Sequence, residues 1–127
     1  MHFFEDVTAK EVVPFIRTAN VAIVPYLDIS GNSRFALPNG LFQVLATGMP
    51  TVFPPLNTII SILKIYSVGE CVDLAYPKKI AKAISHVMRP EFKDVTRSEA
   101  LRFSCDHSWQ LEEKKLRHLL IDLSNKN

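Results

Sequence analysis

The sequence has few of the residues on which metal centres and disulfide frameworks depend. Its two cysteines, Cys71 and Cys105, lie far apart and show no CxxC spacing, which argues against a zinc site or a redox pair. The four histidines also lack the spacing of metal ligands, so we expect neither a metal nor another cofactor. Both thiols are expected to be buried and reduced, as in a cytoplasmic protein.

Long apolar runs are missing too. No stretch approaches the roughly 20 residues that a membrane-spanning helix needs, and the N-terminus does not have the pattern of a signal peptide. The net charge of +2 gives no reason to expect nucleic acid as a partner. Residues 77–127 carry eleven basic and seven acidic side chains, against four and six in residues 1–76. Contact of this basic end with an anionic membrane surface stays open, and solvated helix faces are the simpler explanation.

What the sequence does contain is an alternation of apolar strand patterns with helix patterns. The strand candidates are residues 21–24, 51–53 and 69–74. Strands that alternate with helices of this length indicate βαβ units and a parallel sheet, which right-handed crossovers make doubly wound. We expect residues 1–127 to form a single α/β domain, with 21–24 and 51–53 as adjacent central strands. About three or four strands are visible in the sequence.

Residues 35–54, FALPNGLFQVLATGMPTVFP, organise the rest of the chain. The Asn39 side chain is predicted to cap a helix that ends at Gly48, because asparagine is a good N-cap and glycine tolerates positive φ. Residues 51–53 then follow as a buried strand. A helix start carries unpaired N–H groups and partial positive charge, so this junction is a candidate phosphate site.

The order Ala-Leu-Pro-Asn-x-Leu-Phe, followed by Ala-x-Gly-x-Pro-x-Val, resembles the donor-site segment of the family 4 retaining glycosyltransferases, which have the GT-B fold. The resemblance extends over nearly the whole chain. It implies a Rossmann-like half of a GT-B fold whose donor substrate is a nucleoside-diphosphate sugar, in polysaccharide or glycolipid biosynthesis. A complete half of this fold has more strands than the three or four visible here, so the resemblance also implies that the doubly wound parallel sheet is incomplete and that the chain is the C-terminal portion of the donor domain. An N-terminal acceptor-binding domain is then its partner. We therefore expect no glycosyl transfer from this chain alone.

Three residues depart from the family's pattern. Gln43 stands where a glutamate usually accepts hydrogen bonds from the ribose, and Phe35 stands where another glutamate contacts the sugar. Gly40 replaces a lysine that would face the phosphates. The resemblance then leaves the donor to Gln43, to the helix dipole and to the backbone N–H groups of Leu41 and Phe42.

These considerations predict a nucleotide-sugar site at the helix start, with no catalytic residue in this chain. The preceding loop is predicted to contact the sugar or phosphate through Ser33, Arg34 and Phe35. For Asp28, in the same loop, a solvated charge is the simpler interpretation, and a contact with the sugar or phosphate stays open. The residues predicted at the helix start itself are Asn39, Gly40, Leu41, Phe42 and Gln43.

Other functions stay open at this stage. The three departures also fit a catalytically inactive GT-B-like domain that acts as an interaction module. Composition alone fits another doubly wound module as well, of the flavodoxin-like or epimerase-like kind. Homo-oligomer formation is likewise left open.

The C-terminal third is predicted to be helical. Leu101 and Phe103 are expected to face inward on one helix, and Ser108 is expected to cap the last one. Trp109 is interpreted as the anchor of that last helix on the sheet. The apolar side of this last helix also includes Leu116, Leu119, Leu120 and Leu123.

Overall fold

The fold is known from a computed structural model, which describes residues 4–27 and 29–125. The loop carboxylate Asp28, interpreted as a solvated charge with a sugar or phosphate contact left open, lies outside the described residues. In chain order the elements are α1 (Val12–Ile16), β1 (Ala22–Ile23), a 3₁₀ turn (Ser33–Phe35), α2 (Asn39–Leu45), β2 (Thr51–Phe53), α3 (Asn57–Leu63), β3 (Gly69–Cys71), α4 (Pro77–Val87), α5 (Pro90–Asp106) and α6 (Trp109–Ser124).

Within the described residues, the strands form one parallel sheet of three strands in the order β1-β2-β3. Ala22 pairs with Thr51, and Thr51 pairs in turn with Gly69. The prediction of a parallel α/β architecture is therefore confirmed, and so is the adjacency of residues 21–24 and 51–53. The central position of residues 21–24 is wrong. Strand β1 lies at the edge of the described sheet, where Ile23 is 41% exposed.

Strand β2 is the centre of the fold, and all three of its residues are buried. Its side chains alternate between the two faces of the sheet, as strand geometry requires. Phe53 belongs to a core cluster with residues of α2, α3 and α5, such as Leu45 and Phe103. Val52 belongs to a second cluster with Ala83 of α4. Helices thus cover both faces, and the chain is a mixed α/β protein.

Strand β3 can approach β2 only because its first residue is glycine. A Cβ at Gly69 would lie 2.1 Å from the carbonyl oxygen of Thr51 and 2.7 Å from the Phe53 ring. Both distances are below any real carbon contact, and one of the atoms belongs to the backbone. Gly48, just after α2, has φ of 70°, which confirms the predicted glycine at the helix end.

The last two helices depart from the predictions. Phe103 is buried, but Leu101 is 52% exposed. No residue of α6 is buried, and Trp109 is 66% exposed, so its predicted role as an anchor on the sheet is wrong. The physical reason is that α6 begins after the body of the protein and no described element covers it. Cys105 is also exposed, contrary to the expectation of a buried thiol.

No helix in the described ranges combines the length and the apolar character that crossing a membrane requires.

Candidate functional site

The segments that follow the three strands line a cavity of about 580 Å³, which we call the carboxyl-end crevice. Open parallel sheets bind ligands at this edge, since loops from neighbouring strands converge there. Asp73 carries the one carboxylate among the described residues of the lining, and it accepts the Ala75 N–H at 2.9 Å. The lining residues are Tyr26, Leu27, Ile29, Pro54, Pro55, Leu56, Asp73, Leu74 and Ala75.

Cys71 lies directly beside this crevice, and its Sγ donates a hydrogen bond to the Pro54 carbonyl at 3.3 Å. Burial raises the pKa of the Cys71 thiol to about 11. A nucleophilic cysteine needs a lowered pKa. Cys71 is therefore a structural thiol and does not supply a nucleophile to the crevice.

The start of α2 differs from its prediction. Pro38, not Asn39, occupies the N-cap position, and no side chain makes a capping bond. Pro38 has an extended backbone, with ψ of 140°, and its carbonyl accepts the Leu41 N–H at 3.0 Å. The predicted Asn39 cap is wrong because this backbone bond takes its place. One of the two N–H groups expected to face a diphosphate therefore already has an acceptor.

The other residues predicted at this helix start point in different directions. Leu41 is fully buried in the core, and Gln43 is half-buried. A Cβ at Gly40 would meet no atom within 4 Å, so packing does not require glycine there. The position has room for a longer side chain.

The loop before α2 is held by polar contacts. Ser33 is buried, and its Oγ lies 2.8 Å from the Oγ of Ser30. Thr58 of α3 donates its hydroxyl to the Ala36 carbonyl at 2.6 Å. Arg34 remains exposed, whereas Ser33 turns inward. Of the loop residues predicted as donor contacts, Ser33 is thus engaged in holding the loop.

Phe35 and Phe42, both predicted site residues, meet in a separate cavity of about 390 Å³, which we call the apolar groove. The ring centre of Phe103 lies 5.9 Å from that of Phe42 and 4.5 Å from that of His107. The apolar lining consists of Phe35, Leu37, Phe42, Ile62 and Phe103, and the polar lining of Asn57, Thr58, Ser61 and His107. The groove shares no lining residue with the carboxyl-end crevice.

Sequence reasoning missed this groove, because α3 and α5 supply more than half of its lining from distant parts of the chain. The signal available in the sequence was the pair Phe35 and Phe42, seven residues apart, in a segment where the resemblance called for polar contacts. Phe35 is 67% exposed and Phe42 37% exposed.

A polar cluster adjoins the groove through His107. The Tyr66 hydroxyl donates to the Asp106 carboxylate at 2.8 Å and lies 3.5 Å from His107 Nε2. The hydrogen bond to Asp106 raises the pKa of Tyr66. The hydroxyl therefore acts as a donor to Asp106, and the cluster ties α5 to the segment before β3.

A third cavity, of about 640 Å³, opens at the amino end of the sheet. Its charged lining, in the part of the chain that the structure describes, consists of Arg17, Lys93, Arg97 and the carboxylate of Asp94. The carbonyl ends of α1 and α2 also face this cavity, through Arg17 and residues 46–48. Cations near helix C-termini stabilise the helix dipole, which accounts for this charge without a ligand.

Comparisons of the chain with protein-family models, with curated proteins and with solved structures found no match. The resemblance to glycosyltransferases therefore depends on the residues of the chain itself.

Proposed function

We propose that this chain is the C-terminal part of the nucleotide-sugar-binding half of a family-4-like retaining glycosyltransferase with the GT-B fold. The observation that carries the proposal is the position of the family-like segment. It comprises the loop that leaves the carboxyl end of β1, helix α2 and strand β2, which pairs with β1 in parallel. A donor-site segment belongs at this place in a Rossmann-like sheet.

The proposed complete fold is a doubly wound sheet that continues beyond β1. Two observations support it: helices cover both faces of the sheet, and Ile23 on the edge strand is 41% exposed. Further strands beside β1 would cover this edge. A cytoplasmic location is part of the same proposal, since both cysteines are free thiols.

In this proposal the diphosphate of the donor lies over the start of α2, and Gln43 reaches the ribose. The Phe42 N–H and the helix dipole supply the positive potential, because the Leu41 N–H is bonded to Pro38. The hydrogen bond between Gln43 and the ribose is neutral, and neutral hydrogen bonds are about half as strong as those of the carboxylate that the family usually has there; no cationic side chain at Gly40 faces the phosphates either. The chain is therefore expected to bind nucleoside diphosphates weakly. Transfer requires an acceptor-binding domain as partner, and we expect none from the chain alone.

The direct test is titration of the chain with uridine diphosphate and guanosine diphosphate, followed by amide chemical shifts. The proposal expects the largest shifts at Gly40, Phe42 and Gln43, with smaller ones in the loop 26–37. Shifts confined to other surfaces, or none with either nucleotide at high concentration, would contradict it.

The second candidate function is a catalytically inactive domain that acts as an interaction module. It is favoured by Phe35, which replaces the sugar-contacting glutamate and lies in the apolar groove rather than in the crevice. Exposed aromatic residues in a groove are typical of protein contacts. The same titration separates the two candidates, because the interaction module binds neither nucleotide.

A further inference from the structure

Helix α4 has a buried side and an exposed side that is basic. It packs on the sheet through Ala83 and Val87, which are buried. The exposed cations of the other side are Lys78, Lys79 and Lys82 of α4, together with Arg89 just after its end. We call these four residues the basic face. Lys78 and Lys82 are four positions apart and therefore lie on the same side of the helix.

No acidic residue balances the basic face. Residues 74–90 contain neither aspartate nor glutamate. Among the described residues, no carboxylate forms an ion pair with any of the four cations. The acids that precede α4 are engaged elsewhere, since Glu70 lies 2.7 Å from His86 Nδ1 and Asp73 accepts the Ala75 N–H. The face therefore presents uncompensated positive charge.

This arrangement is unfavourable for α4 itself. Lys78 and Lys79 lie in its first turn, which has no acidic residue, and cations at a helix start oppose the helix dipole. Lys78 and Lys82 are also like charges at i and i+4, which destabilise a helix. Helices α5 and α6 follow the favourable pattern, with Glu91 and Glu112 in their first turns. The stability of α4 thus does not account for the basic face, whereas an anionic partner offsets its cost.

The shape of the face fits an extended anionic surface better than a small anion. None of its four residues lines any of the three cavities described above. The lysines are spread along a helix whose length, at 1.5 Å per residue, is roughly 16 Å. A partner that meets all of them must itself be extended.

The side chains of the face favour a lipid surface over nucleic acid. Three of the four cations are lysines, which are compact point charges without the planar fork that arginine uses in nucleic-acid recognition. Beside them, Tyr76 is 53% exposed, and the Lys79 Nζ lies 4.3 Å from the centre of its ring. Tyrosine is enriched at membrane–water interfaces, where one end of the side chain is apolar and the other is hydrated.

We propose that the basic face binds an anionic lipid surface, with α4 lying parallel to the plane of the membrane. Negatively charged lipid surfaces attract clusters of about four to eight lysine and arginine residues. The helix stays at the level of the headgroups, because Ala83 and Val87 on its apolar side already belong to the core. This contact does not depend on nucleotide binding at α2, so either proposal can fail without the other.

The experiment is co-sedimentation of the whole chain with lipid vesicles. The chain is expected to sediment with vesicles of phosphatidylglycerol and phosphatidylcholine, and to stay in solution with phosphatidylcholine alone. Binding should weaken as salt is added, because salt screens exposed charges. Lys78→Gln combined with Lys82→Gln should weaken it roughly 25-fold, since each lysine at an anionic surface contributes about fivefold.

The matched control is Lys10→Gln combined with Lys64→Gln. Both lysines are exposed, and the helices beside them, α1 and α3, pack on the face of the sheet opposite α4. The control removes the same charge from the chain and should bind vesicles as the wild type does. The variant at Lys78 and Lys82 should melt no lower than the wild type, because it removes unfavourable charges from α4. Unfolding then does not explain its loss of binding.

Four results would overturn the proposal. One is no binding to anionic vesicles at low salt. Another is equal weakening in the two double variants, which would indicate a response to net charge alone. The third is equal binding to phosphatidylcholine vesicles. The fourth is release of the chain from anionic vesicles by a small excess of a DNA duplex, which would assign the basic face to nucleic acid.

Discussion

The hydroxyl of Tyr66 donates a hydrogen bond to the Asp106 carboxylate across 40 residues of sequence, at 2.8 Å. Tyr66 stands between α3 and β3, and Asp106 is the last residue of α5. The Tyr66 ring also packs edge-on against Phe103, with ring centres 5.2 Å apart. This contact fixes the end of α5, and with it two groove residues, Phe103 of α5 and His107 directly after it.

The Tyr66 contact should make stability depend on alkaline pH. Asp106 raises the pKa of Tyr66 above its usual value of 10.0. A raised folded-state pKa means that the stabilisation is fully present below about pH 10 and is lost as the pH rises through the folded-state pKa. Melting temperatures of the wild type and Tyr66→Phe should therefore converge above pH 10. Curves that stay parallel up to the most alkaline pH would contradict this.

Gly69→Ala should destabilise the sheet strongly. The new Cβ would lie 2.1 Å from the Thr51 carbonyl oxygen, so β2 and β3 would have to separate. Overpacking of this kind costs about 1–3 kcal/mol or more. Urea denaturation measures the loss. Gly40→Ala is the control, because a Cβ there meets nothing within 4 Å, and a similar loss in both variants would show that strand spacing is not the cause.

Thr96→Val should stabilise the protein. The Thr96 side chain is fully buried, and its Oγ1 has no hydrogen-bond partner among the described residues. A buried hydroxyl without a partner costs about 1–3 kcal/mol, and valine has nearly the same shape. We expect a higher urea midpoint with an unchanged slope. A lower midpoint would mean that the hydroxyl has a partner in solution, such as a bound water.

The local part of the fold follows from the sequence. Patterns a few residues long predict the helix before Gly48 and the parallel neighbours 21–24 and 51–53. Such patterns do not predict that β1 lies at the edge of the sheet, because an apolar strand has the same composition whether or not another strand lies beside it. The predicted Asn39 cap failed because the extended Pro38 offers a backbone acceptor first.

The candidate site was less predictable than the fold. Phe35 and Phe42 were predicted as donor contacts from their places in a motif, whereas the structure places them against Phe103 of α5. Contacts between residues about 60 positions apart depend on how helices pack, which spacing within one segment cannot reveal. The stripe of α6 was predicted correctly as a pattern, but a pattern does not say what covers it.

The two cysteines should differ in reactivity. Cys105 is exposed, whereas burial raises the pKa of Cys71 to about 11. A thiol reagent at neutral pH should modify one thiol per native chain, and the second only after unfolding. In Cys105→Ser the native chain should react slowly until the pH approaches 11. Rapid modification of that variant at neutral pH would contradict the assignment.

The last prediction concerns the start of α2. Gly40→Lys combined with Gln43→Glu restores a cation for the phosphates and a carboxylate for the ribose, and the space around Gly40 is open. If both charged contacts form, affinity for a nucleoside diphosphate should increase by about 1–3 kcal/mol, as measured by calorimetry. The matched control is Ser85→Lys with Gln110→Glu, which adds the same two charges at exposed positions away from both α2 and the loop that precedes it. Equal affinity in both double variants would mean that charge alone attracts the nucleotide. Unchanged affinity in the first would mean that the resemblance to glycosyltransferases extends to the fold and not to the donor site.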